Sequence, residues 1–129
     1  MNFIIGGKDS VNRKAVENSK VDILISPERG RKKDFMKSRN SGLNQVLAKL
    51  ASKNKVAIGF DFNYVLNLRE RADIIGKMKL NVRLCRKYNV EMYVCNSTAD
   101  NKEERNEDSL KAFGRVLGMN SPKVMKFKY

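Results

Sequence analysis

Basic side chains are the residues of this chain whose type and spacing point most clearly to a chemistry. Six of them fall within eleven residues, and they are Arg29, Arg31, Lys32, Lys33, Lys37 and Arg39. Arginine binds phosphate oxygens through two parallel hydrogen bonds, and each neutralised phosphate releases counterions. This segment is therefore predicted to be a loop that grips phosphates. Phe35, in its middle, is expected to stack on a base or to pin the loop.

The composition of the whole chain also indicates a polyanionic partner. In 129 residues, 27 Lys and Arg oppose 14 Asp and Glu, which gives a formal charge of +13. The cations are spread over several segments rather than crowded on one amphipathic helix, which favours nucleic acid over a membrane surface. No apolar run approaches the ~20 residues that cross a bilayer, and the opening lacks the basic start of a signal peptide. We expect a cytoplasmic protein.

Residues for nucleophilic or zinc chemistry are scarce in this sequence. Histidine, the commonest zinc ligand, is absent, and Cys85 and Cys95 are the only cysteines, so four sulfur ligands for a structural zinc cannot be assembled within one chain. Glycine-rich nucleotide fingerprints are also absent. Glu28, Asp61 and Asp100 follow predicted strands and are the candidates for a magnesium site, or else for loop hydrogen bonds. We expect no active site and no cofactor or metal bound by this chain, and two reduced thiols in its core.

Apolar runs of strand and helix type alternate along the chain. Strands are predicted over residues 2–6, 21–26, 56–62 and 91–95, and helices over residues 10–19, 43–53, 70–88 and 107–117. The strands are continuous apolar runs, which indicates a parallel sheet with both faces covered. An open doubly wound sheet and half of a βα barrel both fit this pattern, because a complete barrel needs roughly 200–250 residues.

The predicted fold is α/β, with four βα units forming a partial, half TIM-barrel-like parallel sheet. It occupies a single domain over residues 1–118, followed by a basic tail over residues 119–129. Function in such folds lies at the carboxyl ends of the strands, where the basic loop emerges. An open half barrel exposes two sheet edges, so a second copy or a partner chain is expected to cover it. Lys79, Arg83 and Lys87 share one face of the third helix, as a phosphate site or as an ordinary solvent face.

An ordered series of short motifs resembles one known family over about residues 3–118. The family is that of archaeal ribonuclease P protein component 3, the homologue of the thirty-kilodalton subunit of the eukaryotic enzyme. The segments that carry the resemblance are Asn12-Arg13, 21–24, Pro27-Glu28, 30–32, 46–51, 54–58, Arg71-Ala72, Asn81, Leu84, 86–88, Leu110, Ala112-Phe113 and Leu117-Gly118.

The resemblance implies a βα-barrel fold related to metal-dependent phosphoesterases but without their metal site. It implies an enzyme whose catalyst is RNA, which removes the 5′ leader of precursor tRNA. The implied partners are ribonuclease P RNA, precursor tRNA and a smaller ferredoxin-like protein subunit, with magnesium entering through the RNA. The matching basic positions, expected to contact RNA or to fix the loop beside it, are Arg13, Arg31, Lys55, Lys87 and Arg105.

Several departures from the family pattern are visible. Members of the family are longer, and their first two or three βα units are expected to be missing here. Gln45 replaces a common histidine, Gly59 a common carboxylate and Ser109 a common aspartate. The leading hypothesis is a non-catalytic, RNA-binding subunit of ribonuclease P that supports the catalytic RNA. The alternatives are a metal-dependent phosphoesterase-like half barrel that uses Glu28 and Asp61, and a general basic RNA-assembly protein.

Overall fold

In the computed structural model, strands and helices alternate as the apolar pattern predicts. The structure describes residues 2–31, 40–66, 69, 71–98 and 106–128. The strands are β1 (Phe3–Ile5), β2 (Ile23–Ile25), β3 (Ala57–Asp61), β4 (Met92–Thr98) and β5 (Lys123–Lys128). The helices are α1 (Asp9–Glu17), α2 (Gln45–Asn54), α3 (Phe62–Leu66), α4 (Arg71–Lys87) and α5 (Glu107–Leu117).

The five strands form one parallel sheet in the order β1-β2-β3-β4-β5. Each strand pairs in parallel with the next one in sequence, so that Ile23 lies opposite both Phe3 and Ala57, and Asp61 lies opposite Cys95. A doubly wound sheet reverses its strand order at a switch point, whereas a barrel wall keeps the sequential order seen here.

The helices cover one face of this sheet. Side chains from all five helices join a single apolar cluster with the strand residues Leu24, Ile58 and Val94. The opposite face carries a second cluster that contains only strand residues and is centred on Ile23, Ile25, Ala57 and Cys95. Helices on one face and sequential strands together make the wall of a βα barrel. The predicted half barrel is therefore confirmed.

Strand β5 occupies the segment that the sequence suggested was a basic tail. Residues 123–128 pair with β4 along their whole length instead of extending from the domain. Val124 packs against the helix-side cluster and Met125 against the strand-only cluster, while Lys123 stays exposed. An edge strand is paired on one side only, so it tolerates lysines that hide its strand character.

One helix has its predicted ends, and two other features of the helices differ from the prediction. Helix α5 has the predicted limits, and Gly118 ends it with a φ of 110°. Helix α2 is capped by Asn44 rather than by Ser41, because the Asn44 side chain accepts a hydrogen bond from the backbone of the first turn. The predicted connector after β3 contains the short helix α3.

Both cysteines are buried and free, as the sequence predicts. Burial raises the pKa of the Cys85 thiol to about 12. A Cβ atom on Gly59 would come within 2.7 Å of Cys95 Sγ, so this strand position leaves no room for the carboxylate that the family pattern suggests. No helix within the described residues is long and apolar enough to cross a bilayer.

Candidate functional site

The basic loop leaves the sheet at the carboxyl end of β2. Residues 26–31 and 40–43 flank its centre and are named the loop base here. Ser26, Gly30 and Gly42 adopt left-handed φ angles of 55°, 74° and 86°. The Ser26 amide donates to the Gly59 carbonyl at 2.9 Å, which ties the start of the loop base to β3. The loop base is therefore sharply turned and fixed to the sheet at its first residue.

Asn12 on α1 connects the two ends of the loop base. Its Nδ2 donates to the carbonyl oxygens of Pro27 at 3.0 Å and Gly42 at 3.1 Å. Its Oδ1 accepts a hydrogen bond from the Gly7 amide at 3.0 Å. A Cβ on Gly42 would lie 2.0 Å from the Pro27 oxygen, so the two ends meet backbone to backbone. One fully buried amide thus links three separate chain segments.

Two further buried polar side chains reach the loop base from α4. Lys77 donates through Nζ to the Arg31 carbonyl and pairs with Asp73 at 3.0 Å. Asn81 donates through Nδ2 to the Ser41 carbonyl at 2.8 Å. Neither side chain has exposed surface. Asn12, Lys77 and Asn81 are named the polar frame here, because together they hold backbone carbonyls on both sides of the basic loop.

Arg31 directs its guanidinium into the loop base. Its Nε donates to the Gly7 carbonyl at 2.9 Å, and its terminal nitrogens donate to the side chains of Asn40 and Asp9. Only 10% of the side chain is exposed. This predicted RNA-binding residue is thus engaged by protein groups, and its geometry favours loop fixing over direct phosphate contact.

Arg29 is the second arginine of the loop base. Its guanidinium carbon lies 4.0 Å from the centroid of the Tyr64 ring, and Nη2 lies 3.5 Å from Asp61 Oδ2. The Tyr64 hydroxyl also accepts a hydrogen bond from the Gly30 amide at 3.2 Å. The Arg29 side chain keeps 28% of its surface exposed. Stacking and an ion pair orient this cation while leaving part of it accessible to a phosphate.

Glu28 is an ionisable side chain with no exposed surface. Neither of its carboxyl oxygens has a hydrogen-bond partner among the described residues. Burial raises the pKa of Glu28 to about 8, and the Asp61 charge adds to this effect, while the Glu28 amide, Arg29 and Asn81 oppose it. Glu28 therefore holds its proton at neutral pH.

Two of the three candidate magnesium ligands, Asp61 and Glu28, do not present open carboxylates. Asp61 accepts hydrogen bonds from the backbone amides of Ser97 and Asn63, each at 3.2 Å, and it pairs with Arg29. Glu28 is closed to solvent, and burial raises its pKa, which disfavours the charged form that a metal ion needs. Asp100 lies outside the described residues. Across the described ranges, no three His, Cys, Asp or Glu side chains come together as a group able to hold a metal ion.

The remaining predicted RNA-binding residues lie elsewhere or outside the described ranges. Arg13 is exposed on α1 and pairs with Glu17. Lys55 ends α2 in a left-handed conformation, and Lys87 is exposed at the end of α4. The structure therefore brings together Arg29 and Arg31 but not these three. The predicted RNA-binding residues that lie outside the described residues are Lys32, Lys33, Lys37, Arg39 and Arg105.

The sequence interpretation missed the role of the polar frame. Lys77 and Asn81 lie on the same helical stripe as the buried residues Ile74, Met78 and Val82. Asn12 likewise precedes buried Ala15 and Val16 by three and four residues on α1. A polar residue on an apolar stripe is the signal that was available, since buried polar groups need partners.

The chain matches the family model described as RNase P subunit p30 over residues 3–127. It is 38% identical to ribonuclease P protein component 3 of Methanosarcina mazei over 95% of this chain and 49% of the relative. The protein of the same name from Methanocaldococcus jannaschii is 35% identical, over 98% of this chain and 53% of the relative. The chain thus spans about half the length of these relatives.

A solved structure shows the same relationship. A chain in the cryo-EM structure of archaeal ribonuclease P with mature tRNA superposes with a TM-score of 0.76 and 39% identity. The match covers 90% of this chain and 48% of that chain.

Removing the Asn12 side chain should destabilise the fold and release the loop base. Asn12→Ala leaves the Pro27 and Gly42 carbonyls without this donor, and we expect a loss of about 2–3 kcal/mol in unfolding free energy by urea titration. Hydrogen exchange should accelerate across the loop base. Asn18→Ala, at the exposed end of the same helix, is the matched control, and an equal loss in both variants would contradict the role of Asn12.

Glu28→Gln should remove a pH dependence of stability. The unfolded chain releases the Glu28 proton near its ordinary pKa of 4.5, whereas the folded chain keeps it to about pH 8. Wild-type unfolding free energy should therefore fall between these values, by up to about 1.4 kcal/mol per pH unit. Urea titrations at a series of pH values should show the Gln variant without this decline and more stable than wild type at pH 8. Glu91→Gln, at an exposed position, serves as control, and parallel curves for Glu28→Gln and wild type would disprove the assignment.

Proposed function

We propose that this chain, which belongs to the RNase P subunit p30 family, is a non-catalytic, RNA-binding protein subunit of ribonuclease P. In this role it supports the catalytic RNA during 5′ maturation of precursor tRNA. The observation that carries the proposal is the loop base, whose buried, hydrogen-bonded ends flank a run of cations in the sequence.

The charge of the loop and its preorganised ends both favour binding to phosphates. Six cations within eleven residues repel one another, and the polar frame holds the ends of their loop in place against that repulsion. A loop with fixed ends loses less entropy on binding than a free one. Phosphates are proposed to supply the opposite charge for the other cations of the loop. Arg29 and the loop residues Lys32, Lys33, Lys37 and Arg39 are proposed to contact phosphate, and Arg31 is proposed to position them.

The proposed role also implies the binding partners of this chain. The similar cryo-EM chain belongs to archaeal ribonuclease P with mature tRNA, which supports ribonuclease P RNA and precursor tRNA as partners here. We propose that magnesium enters the complex through the RNA and that a smaller ferredoxin-like protein subunit binds this chain. The site of action would be the cytoplasm.

Neutralising the loop should weaken RNA binding and its salt dependence. The loop variant replaces Lys33, Lys37 and Arg39 with Gln. Its affinity for ribonuclease P RNA should fall, and the slope of log K against log salt should shrink by up to about three. Filter binding between about 50 and 200 mM salt measures both quantities. Arg31→Ala should weaken binding with little change in slope, because its guanidinium contacts protein groups.

The matched control variant replaces three exposed cations on other surfaces, Lys14, Lys20 and Arg115, with Gln. Equal effects of the loop and control variants would contradict the assigned site. Equal wild-type affinity for unrelated structured RNAs would instead favour a general RNA-assembly protein.

A second proposal concerns the strand-only face of the half barrel. Ile5, Tyr93 and Met125 are only partly buried on that face, and Phe3 and Ile4 are about one-third exposed at the β1 edge. Within the described chain, β1 and β5 each pair with one strand only. We propose that a second copy of this chain, or a partner chain, covers this surface.

The mass of the native protein in solution tests whether a second copy or a partner chain covers the strand-only face. A second copy predicts twice 14.8 kDa by sedimentation, and Met125→Lys should reduce it to the mass of one chain. If a different protein covers this surface, the purified chain should sediment as a monomer, and extracts of the host should contain it in a heteromeric complex. A stable single chain that captures no protein would contradict both forms.

A further inference from the structure

A second basic surface lies on the outer side of α2 and α4. It is formed by Lys49, Lys53, Lys55, Arg83 and Lys87 around Tyr88, and it is named the helix surface here. All five cations are exposed. Helices α2 and α4 end where β3 and β4 begin, so the far end of the helix surface lies at the edge of the sheet opposite the loop base. A seven-residue strand such as β4 separates these edges by about 20 Å.

Cations from both helices converge on one aromatic ring. Lys49 Nζ lies 5.6 Å and Lys87 Nζ lies 5.4 Å from the centroid of Tyr88. The ring packs against the main apolar cluster, which fixes its position. Arg83 precedes Lys87 by one helical turn on the same exposed face. Three positively charged side chains thus lie close together around a ring that the core holds in place.

The described residues place little opposite charge at this surface: Glu91 lines a cleft with Lys55, but it pairs with Lys123. Residues 42–60 and 74–90 contain no Asp or Glu. Within the described ranges, none of the five cations forms an ion pair, whereas Arg13, Arg29, Arg31, Lys77, Lys111 and Lys123 each have a carboxylate partner. Six cations elsewhere are therefore neutralised by a carboxylate, whereas the cations of the helix surface lie close together without one.

We propose that the helix surface is a second binding site for an RNA backbone, so that one subunit holds two separate stretches of RNA. This inference rests on the proposed function and adds a second contact to it. An RNA backbone supplies the missing charge as a row of phosphates. A protein partner fits less well, because lysine is depleted at protein–protein interfaces and the helix surface carries four lysines. With the loop base at the other edge of the sheet, the subunit acts as a bridge between RNA segments.

Charge removal at the helix surface tests the inference quantitatively. The helix variant replaces Lys49, Arg83 and Lys87 with Gln and is compared with the control variant Lys14, Lys20 and Arg115→Gln. The helix variant should bind ribonuclease P RNA about tenfold or more weakly, with the salt slope reduced by about two to three. The control variant should change affinity less than about twofold. Circular dichroism confirms that both variants remain folded.

Site-directed cleavage tests whether two stretches of RNA are held. An iron chelate is attached to Lys53→Cys in one protein and to Lys37→Cys in another, and each is bound to ribonuclease P RNA. The native cysteines are buried and do not compete for the reagent. Hydroxyl radicals should cut two different regions of the RNA. The helix variant background should abolish the cuts from position 53 and keep those from position 37.

The outcomes separate this inference from the proposed function. If the helix variant binds RNA with the affinity and slope of the control variant, the helix surface is not an RNA site. Loss of a protein subunit from the reconstituted complex, with RNA binding intact, would also overturn the inference. If wild-type protein does not prefer ribonuclease P RNA but the helix variant still weakens binding, the surface stands and the proposed function fails.

Discussion

The structure depends on holding the two ends of a strongly cationic loop together beneath the carboxyl edge of the sheet. Backbone carbonyls at those ends are buried, and a buried carbonyl without a donor costs free energy comparable to a lost hydrogen bond. Asn12, Lys77 and Asn81 supply the donors, and none of them has exposed surface. Because the donors come from α1 and α4, the two helices and the loop must be positioned together.

The half-barrel architecture makes this arrangement possible. Parallel strands in sequential order bring the carboxyl ends of β2, β3 and β4 side by side. Arg29 follows β2, Asp61 ends β3 and Ser97 lies near the end of β4, so the ion pair and the hydrogen bonds of Asp61 follow from the register. With the helices on one face, the loop edge remains free for a partner. The helix surface lies on the outer side of α2 and α4, toward the opposite edge of the sheet.

Most of the fold was predictable because its signals are strong and local. The apolar runs of β2 and β3 and the apolar stripe of α4 specify their elements directly. Strand β5 was hidden because lysines interrupt its apolar residues, and α3 was hidden because five residues are too few for a periodic pattern.

The site was only partly predictable, for a different physical reason. The sequence left open whether Arg31 contacts RNA or fixes the loop, because a sequence does not show whether a cation points outward or into its own loop. The structure directs Arg31 to Gly7, Asn40 and Asp9. Lysine and asparagine on a helix also suggest a solvent face until burial is known, which is why Lys77 and Asn81 were not recognised.

The most direct test of this account is to purify the chain from its native host with its bound RNA and to sequence that RNA. A ribonuclease P subunit whose cationic loop has fixed ends should recover its own catalytic RNA, strongly enriched over the total RNA of the cell. An indiscriminate RNA pool, or no RNA at all, would contradict the central claim.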